Sequence, residues 1–153
     1  MWPTTVVSVS SPRTILIRVT GDDRPGLTTD LLALLARLGA ELEDIEQVVV
    51  RRQLALSLAV VVPAGRDMVK EVLLFGWERG LDVDFEVVDG TPTRQVSRHV
   101  VTALAPELTP EDLAHTTGAI ASSGGNIDRI VRMSRYPVWS YEFVVGECDS
   151  EKL

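Results

Sequence analysis

The sequence is poor in the residues from which redox and metal sites are built. Its 153 residues include one cysteine, Cys148, and two histidines, His99 and His115. A lone thiol forms neither an internal disulfide nor a CxxC redox pair. Neither histidine has a second ligand at metal-binding spacing, so core or surface positions are the more frequent role for them. These absences exclude a disulfide-stabilised scaffold and are typical of proteins of the reducing cytoplasm.

Positive charge and long apolar runs are also scarce. The chain has 15 lysines and arginines against 22 aspartates and glutamates, which gives a net charge of −7. A net charge of this sign argues against the basic patch that binding to nucleic-acid phosphates requires. No apolar run approaches the roughly 20 residues that cross a bilayer, and no signal-peptide core follows Met1. We therefore expect a cytoplasmic protein that binds neither nucleic acid nor membranes.

The first half of the chain alternates strand and helix patterns. Apolar residues at alternate positions predict strands, and leucines at helical spacing predict a first helix that ends at Gly39. The predicted strands are 14–20, 43–50, 54–62 and 81–88, and the predicted helices are 27–38 and 66–80. The order βαββαβ predicts an α+β fold, the ferredoxin-like sandwich.

The second predicted helix is apolar on nearly all sides. Its apolar residues are Met68, Val69, Val72, Leu73, Leu74, Phe75 and Trp77. A helix that buries one stripe does not need this many. A second packing surface, between domains or between chains, and an ordinary amphipathic helix are both open interpretations.

The same pattern starts again after a polar, turn-forming segment. The second copy has predicted strands at 98–104, 126–133 and 138–145, with a helix that opens at 109–112 and ends at 122–125. The motif Gly-x-[Glu/Asn]-[Leu/Ile]-x-x-Ile occurs at 39–45 and again at 124–130, so the halves form an internal repeat.

The second copy stops early. Eight residues, Gly146–Leu153, follow its third strand, where a helix and a strand need roughly 20 or more. We expect βαββ only, either because this is a fragment or because another chain supplies the rest. The predicted domains are a tail 1–13, a complete domain 14–89, a linker 90–96 and an incomplete domain 97–153.

A polar turn between the first strand and the first helix is the strongest candidate for a site. It runs from Thr20 to Leu27 and ends in Pro25-Gly26. A strand, such a turn and an abrupt helix place unpaired backbone N–H groups and a positive dipole end around one small space. No nucleophile and base stand beside it. The turn therefore predicts binding of a small polar or anionic molecule, not catalysis.

With this turn, the repeated motif and the βαββαβ order, the chain resembles tandem ACT domains, which are small ligand-sensing modules attached to enzymes of amino-acid metabolism. It is most similar to the N-terminal region of two-ACT phosphoserine phosphatases. Their Arg/Gln-Pro-Gly turn, Glu-Gln-Val-Val strand and Asn-Ile-Asp…Tyr-Pro-Val stretch correspond here to 24–26, 46–49, 126–128 and 136–138. The resemblance covers residues 12–146 and implies a regulatory pair that binds free amino acids, with L-serine as the expected ligand.

The resemblance also implies where a ligand binds, namely between the first turn of one module and the start of the second strand of the other. The residues that it assigns are Asp23, Arg24, Pro25, Gly26 and Leu27 in the first copy and Asn126, Ile127 and Asp128 in the second. Gly26 would let a carboxylate approach the backbone, Asp23 would pair with an α-ammonium group, and the Asn126 amide offers donors and acceptors.

Each assignment has an alternative. Asp23 can instead stabilise the start of a helix, and Asn126 can be a turn residue that tolerates left-handed backbone. The symmetric counterpart of the site departs from the family pattern, because Ala105-Pro106-Glu107-Leu108 lacks the glycine and Glu41 replaces an asparagine. We therefore expect one good site, not two.

Catalysis in that family belongs to a haloacid-dehalogenase-type domain with the hallmark Asp-x-Asp-Gly-Thr. The similar stretch here, Val87-Val88-Asp89-Gly90-Thr91, has a valine in place of the nucleophile. An alkyl side chain neither attacks phosphorus nor binds Mg²⁺. We expect no catalytic residue, metal site or cofactor in these residues, and Mg²⁺ only in a catalytic domain further along a longer phosphatase.

Two other functions stay open. One is a stand-alone ACT pair that acts through protein contacts, like the glycine-cleavage repressor accessory proteins. The other is the amino end of a different enzyme, such as a formyltetrahydrofolate deformylase. For any of them, the open edge of an incomplete sheet predicts a homodimer, with elements exchanged between copies.

Overall fold

The computed structural model describes residues 12–88 and 97–146. The chain divides into two compact units, Met1–Thr91 and Pro92–Leu153. The predicted linker 90–96, residues 1–11 of the predicted tail and Cys148 lie outside the described residues, so the predicted domain boundaries stay predictions.

The first unit has the complete βαββαβ order. Its elements are β1 (Arg13–Asp22), α1 (Leu27–Arg37), β2 (Glu41–Val50), β3 (Gln53–Val62), α2 (Val69–Arg79) and β4 (Asp82–Val88). The strands form one antiparallel sheet in the order β2-β3-β1-β4. The predicted ferredoxin-like class is confirmed.

The core of this unit lies between one face of the sheet and the two helices. Alternate residues of β3, from Leu54 to Val62, are buried, as the period of two in the sequence predicts. They pack against the leucine stripe of α1 and against Met68, Val72 and Phe75. Helix α1 ends as predicted, with Gly39 at a left-handed φ of 75°.

Helix α2 differs from its prediction at its start. It begins at Val69 rather than at residue 66. The guanidinium of Arg66 donates instead to the carbonyl of Leu38, 3.0 Å away, and the Asp67 carboxylate accepts from the Val69 amide at 3.1 Å. The first bond ties Arg66 to the end of α1, and the second is a local turn at Asp67; a side chain that bonds nearby backbone competes with helix formation.

The second unit repeats the first four elements. They are β5 (Arg98–Ala105), α3 (Pro110–Ser122), β6 (Asn126–Ser134) and β7 (Trp139–Gly146), and the sheet order is β5-β7-β6. Ile120, Phe143 and Val145 form its small buried core. Among the described residues, β5 has no strand partner on the side where β1 of the first unit pairs with β4.

The repeated glycine motif has the same structure in both units. Gly39 and Gly124 have φ angles of 75° and 76° after their helices. In both, the next amide bonds back to the helix, Ala40 to Leu35 at 3.1 Å and the equivalent Gly125 to Ile120 at 3.0 Å. A register irregularity follows in each second strand, between Leu42 and Asp44 and between Ile127 and Arg129. The sequence repeat is therefore a helix end joined to a bulged strand.

Candidate functional site

Gly26 opens the start of α1 to solvent. It occupies the N-cap position with a left-handed φ of 91° and provides no side-chain cap. A Cβ atom added to it would meet nothing within 4 Å. The glycine is therefore explained by its backbone angle, and it leaves free space above the end of the helix.

The first turn of α1 presents backbone N–H groups to this space. The first clear hydrogen bond at the helix start runs from the Asp30 amide to the Gly26 carbonyl, 2.9 Å away. The amides of Thr28 and Thr29 precede it and have no partner within a helix. The Thr28 hydroxyl donates a hydrogen bond to Oε1 of Gln47 on β2, 2.5 Å away. Amides at a helix N-terminus bind a carboxylate readily because the helix dipole adds to their hydrogen bonds.

Contacts with two other loops hold the turn in place. The Asp23 amide donates to the carbonyl of Arg52 at 2.8 Å, and the Arg24 guanidinium donates to the carbonyl of Arg79 at the end of α2. A Cβ on Gly21 would come within 2.7 Å of the Leu81 side chain. Arg24 thus positions the turn, and the backbone of Asp23 ties it to the β2–β3 hairpin.

The hairpin between β2 and β3 adds positive charge near the turn. Arg51 and Arg52 both have left-handed backbone, with φ angles of 47° and 69°, which costs roughly 1 kcal/mol or more for each residue that carries a side chain. Nε2 of Gln53, next in the chain, donates to the Asp22 carboxylate at 2.6 Å. The hairpin tip and the turn therefore lie side by side.

In the second unit, Asn126 begins β6 and is exposed. Its Nδ2 donates to the Asp128 carboxylate at 3.4 Å, and the other Asp128 oxygen lies 3.5 Å from Nε of Arg98. Among described residues, positive φ in a residue other than glycine occurs only at Arg51 and Arg52. Tolerance of left-handed backbone therefore does not explain the asparagine at position 126.

The start of α3 is closed by its own side chains. The Asp112 amide donates to Oγ1 of Thr109 at 3.3 Å, and the Thr109 amide donates to the Asp112 carboxylate at 2.8 Å. This capping box satisfies the Asp112 amide, which is equivalent to the Thr29 amide that α1 leaves open. The backbone hydrogen bond from Thr109 also lowers the pKa of Asp112 below its ordinary value. The two units thus differ at the position where a ligand carboxylate would bind.

The sequence-predicted site residues fall into two groups. Asp23, Arg24, Pro25, Gly26 and Leu27 are together in the turn of the first unit, and Asn126, Ile127 and Asp128 are together at the start of β6. The side chains of Leu27 and Ile127 pack in the two cores, so only their backbone is available to a ligand. The union of the two groups in one site stays a prediction.

Sequence reasoning missed the neighbours of the turn. The Thr28–Gln47 contact joins residues 19 apart, and Arg24 and Arg79 are 55 apart. Local periodicity carries no signal for such pairs. The position of the hairpin tip was predicted, but its left-handed backbone was not, because left-handed turns normally contain asparagine or glycine and this one contains two arginines.

Metal-binding clusters and membrane helices are not found in the described parts of the chain. No group of three or more His, Cys, Asp or Glu residues there could hold a metal ion. None of the described helices has the length and apolarity to cross a bilayer.

The sequence matches a known family in both units. Sequence models of the ACT domain match residues 13–86 and residues 97–152. The chain is 36% identical over 144 residues to a phosphoserine phosphatase of Streptomyces coelicolor, an alignment that covers 92% of this chain and 35% of the relative. It is 37% identical over 137 residues to phosphoserine phosphatase SerB2 of Mycobacterium tuberculosis, covering 86% of this chain and 34% of that protein. The chain thus spans about a third of the length of these relatives.

Solved structures show the same fold. A protein described as a candidate glycine cleavage system transcriptional repressor superposes with a TM-score of 0.69 at 12% identity, over 94% of this chain and 87% of that one. A protein of unknown function from Galdieria sulphuraria superposes with a TM-score of 0.70 at 15% identity, over 88% and 81%. At these identities the likeness concerns the fold alone.

Proposed function

Because the chain belongs to the ACT domain family, we propose that it is a regulatory module pair that binds a free amino acid, and that the ligand is L-serine. The observation that carries this proposal is the open N-terminus of α1. Gly26 leaves it without a side-chain cap, whereas the equivalent end of α3 is closed by Thr109 and Asp112. The pair therefore offers one helix end to a ligand.

The chemistry of the turn suits the two charges of an amino acid. The ligand carboxylate accepts hydrogen bonds from the Thr28 and Thr29 amides and is stabilised by the helix dipole. The α-ammonium group pairs with the Asp23 carboxylate, and the backbone at Gly26 allows the approach. Arg24 acts by positioning, because its guanidinium already donates to the Arg79 carbonyl.

Asn126 of the second module is proposed as a further ligand residue. Its side chain is exposed at the start of β6, where the family resemblance places ligand contacts. An amide both donates and accepts, which fits the hydroxyl of serine and the polar groups near its α-carbon. The Asp128 carboxylate accepts a hydrogen bond from the Asn126 side chain and lies 3.5 Å from Nε of Arg98. These contacts support the start of β6.

We further propose that the whole protein is a phosphoserine phosphatase in which this pair senses serine. The two phosphatase relatives align over most of this chain, and the chain covers about a third of each. Serine is what remains when phosphoserine loses its phosphate, so a serine site would couple the reaction to its product. Such control requires different serine affinities in two states of the enzyme.

Amide chemical shifts provide a direct test. Titration of the 153-residue chain with L-serine should shift the amide signals of residues 26–29 and the side-chain amide of Asn126. Gly26→Ala should weaken the response because the added side chain strains the left-handed backbone and enters the ligand space.

Gly65→Ala is the matched control. Gly65 has a φ of 78°, and a Cβ there also meets nothing within 4 Å, but it lies in the β3–α2 loop. Both variants should lose about 1 kcal/mol of stability, while only Gly26→Ala should lose binding. Equal binding by the two variants would contradict the assignment of the turn.

A further inference from the structure

We propose that the outer face of α2 is an interface for a second copy of this chain, in which Trp77 of each copy enters the groove between α1 and α2 of the other. The outer face consists of Lys70, Leu73, Leu74 and Trp77, spaced as i, i+3, i+4 and i+7. This spacing places them on one side of the helix, opposite the side buried in the core. The proposal is independent of amino-acid binding.

Trp77 is the prominent feature of this face. Its surface is 79% exposed, and Leu73 and Leu74 are each 45% exposed. A tryptophan that becomes buried removes on the order of 200 Å² from water, which makes it a frequent anchor of protein interfaces. Contiguous exposed apolar patches mark interaction sites, and these three side chains are neighbours on one helix face.

A groove of matching size lies beside the Trp77 face. Its volume is about 290 Å³, and it is lined by Ala33 and Leu34 of α1 and by Leu74 and Phe75 of α2. A cavity of roughly 150 Å³ holds benzene, so this groove has room for an indole ring. Leu74 belongs to both the outer face of α2 and the groove, so the exposed ring of Trp77 and the groove lie side by side.

That adjacency favours a second copy as the occupant. Rotation by a half-turn about an axis between the ring and the groove brings each tryptophan onto the groove of the other copy. One self-complementary surface then forms two equal insertions, as in other isologous dimers. A second copy therefore occupies the groove and buries the ring with the same surface.

Charged groups of the outer face of α2 and of the groove can also pair between two copies. The rim of the groove carries three carboxylates and two guanidinium groups, from Asp30, Glu71, Glu78, Arg37 and Arg79. Arg79 lies 3.5 Å from a carboxylate oxygen of Asp30 and of Glu78, so Glu71 is the rim carboxylate that Lys70 of the other copy would pair with. The Arg79 guanidinium lies 4.0 Å from the centre of the Phe75 ring, so its other face can stack on an incoming indole. The indole N–H can donate to a rim carboxylate.

Two variants test the two sides of this interface. Trp77→Ala removes the inserted ring, and Ala33→Phe fills the groove from an exposed position of α1. Val50→Ala, which shortens a side chain that is 63% exposed on β2, is the control. Sedimentation equilibrium of the full chain over a concentration series measures self-association, and circular dichroism confirms that each variant is folded.

We expect wild type and Val50→Ala to dimerise reversibly, and each of the other two variants to associate roughly tenfold more weakly or worse. An equimolar mixture of Trp77→Ala and Ala33→Phe should associate more strongly than either alone, since one insertion is restored. A monomeric wild type, or a dimer that tolerates both variants, would overturn the proposal, as would a mixture no stronger than its components.

Discussion

At the scale of single residues, two glycines of the first unit are required for different physical reasons. Gly26 has a left-handed backbone angle in open space, so its role is to shape the turn. Gly76 has ordinary helical backbone but lies against β4, where an added Cβ would overlap Cγ2 of Val83 and lie 3.2 Å from the Leu81 carbonyl. The first glycine bears on binding and the second on packing.

Gly76→Ala should therefore destabilise the first unit although alanine is the better helix former. Val83 is β-branched and stiff, so it cannot turn aside cheaply, and we expect a net loss of roughly 1–2 kcal/mol from overpacking. The measurement is chemical unfolding of the variant beside the wild type.

Gly118→Ala on α3 is the control for helix propensity. An added Cβ there meets nothing within 4 Å, so this substitution should be neutral or stabilise by up to about 1 kcal/mol. If both substitutions change the free energy of unfolding equally, the close contact between Gly76 and Val83 does not affect stability.

At the scale of elements, the two corresponding helices differ in how they begin. Helix α1 begins at Gly26, which has no side chain to accept a hydrogen bond from the first turn. Helix α3 begins with a capping box between Thr109 and Asp112. A helix that satisfies its own first amides has less need of an anion. The difference accounts for the expectation of one ligand site in a repeat that contains two similar turns.

The capping box predicts a response to acid. The folded state lowers the pKa of Asp112, so this group stabilises the protein above its unfolded pKa and ceases to do so as the pH falls through its folded pKa. This contribution to stability is lost below about pH 4. Asp112→Asn should reduce the loss of thermal stability between pH 5 and pH 2.5.

Glu111→Gln provides the comparison for this experiment. It removes the neighbouring carboxylate of the same helical turn, which is not a member of the capping box. Thermal unfolding of this variant should follow the wild type in acid. If Asp112→Asn loses as much stability in acid as the wild type, the capping box does not control this response.

At the scale of the whole molecule, the chain exposes sheet edges and an apolar helix face. All ten residues of β2 are exposed at the edge of the first sheet, and β5 has an unpaired side among the described strands. Unpaired edges favour association between chains. The homodimer predicted from the incomplete second copy stays a prediction, and the Trp77 face provides one specific form of it.

Much of this architecture could be predicted from the sequence, because it is encoded in local periodicity. The leucines of α1, the alternation of β3 and the glycine motif at 39 and 124 each specify an element from neighbouring residues. The start of α2 and the contacts of the turn could not be predicted in this way. They depend on pairs such as Arg66 with Leu38 and Thr28 with Gln47, which the fold brings together.

Only part of the candidate site could likewise be predicted from the sequence. Its turn is visible as Asp23-Arg24-Pro25-Gly26, because a Pro-Gly turn before a helix has a distinct composition. The engagement of Arg24 by the Arg79 carbonyl is visible only in three dimensions. The segment 109–112 predicted the start of α3 from local sequence, but not that Thr109 and Asp112 close the second turn to a ligand. Asn126 was assigned by family resemblance, and its part in a shared site is still a prediction.

Isothermal titration calorimetry of the 153-residue chain with L-serine measures directly whether the pair binds a free amino acid. Glycine and a panel of other amino acids serve as comparison ligands. We expect a saturable heat with L-serine and one ligand per chain, since α1 is open and α3 is capped. No saturable heat with any amino acid, or two equivalent sites per chain, would contradict this expectation.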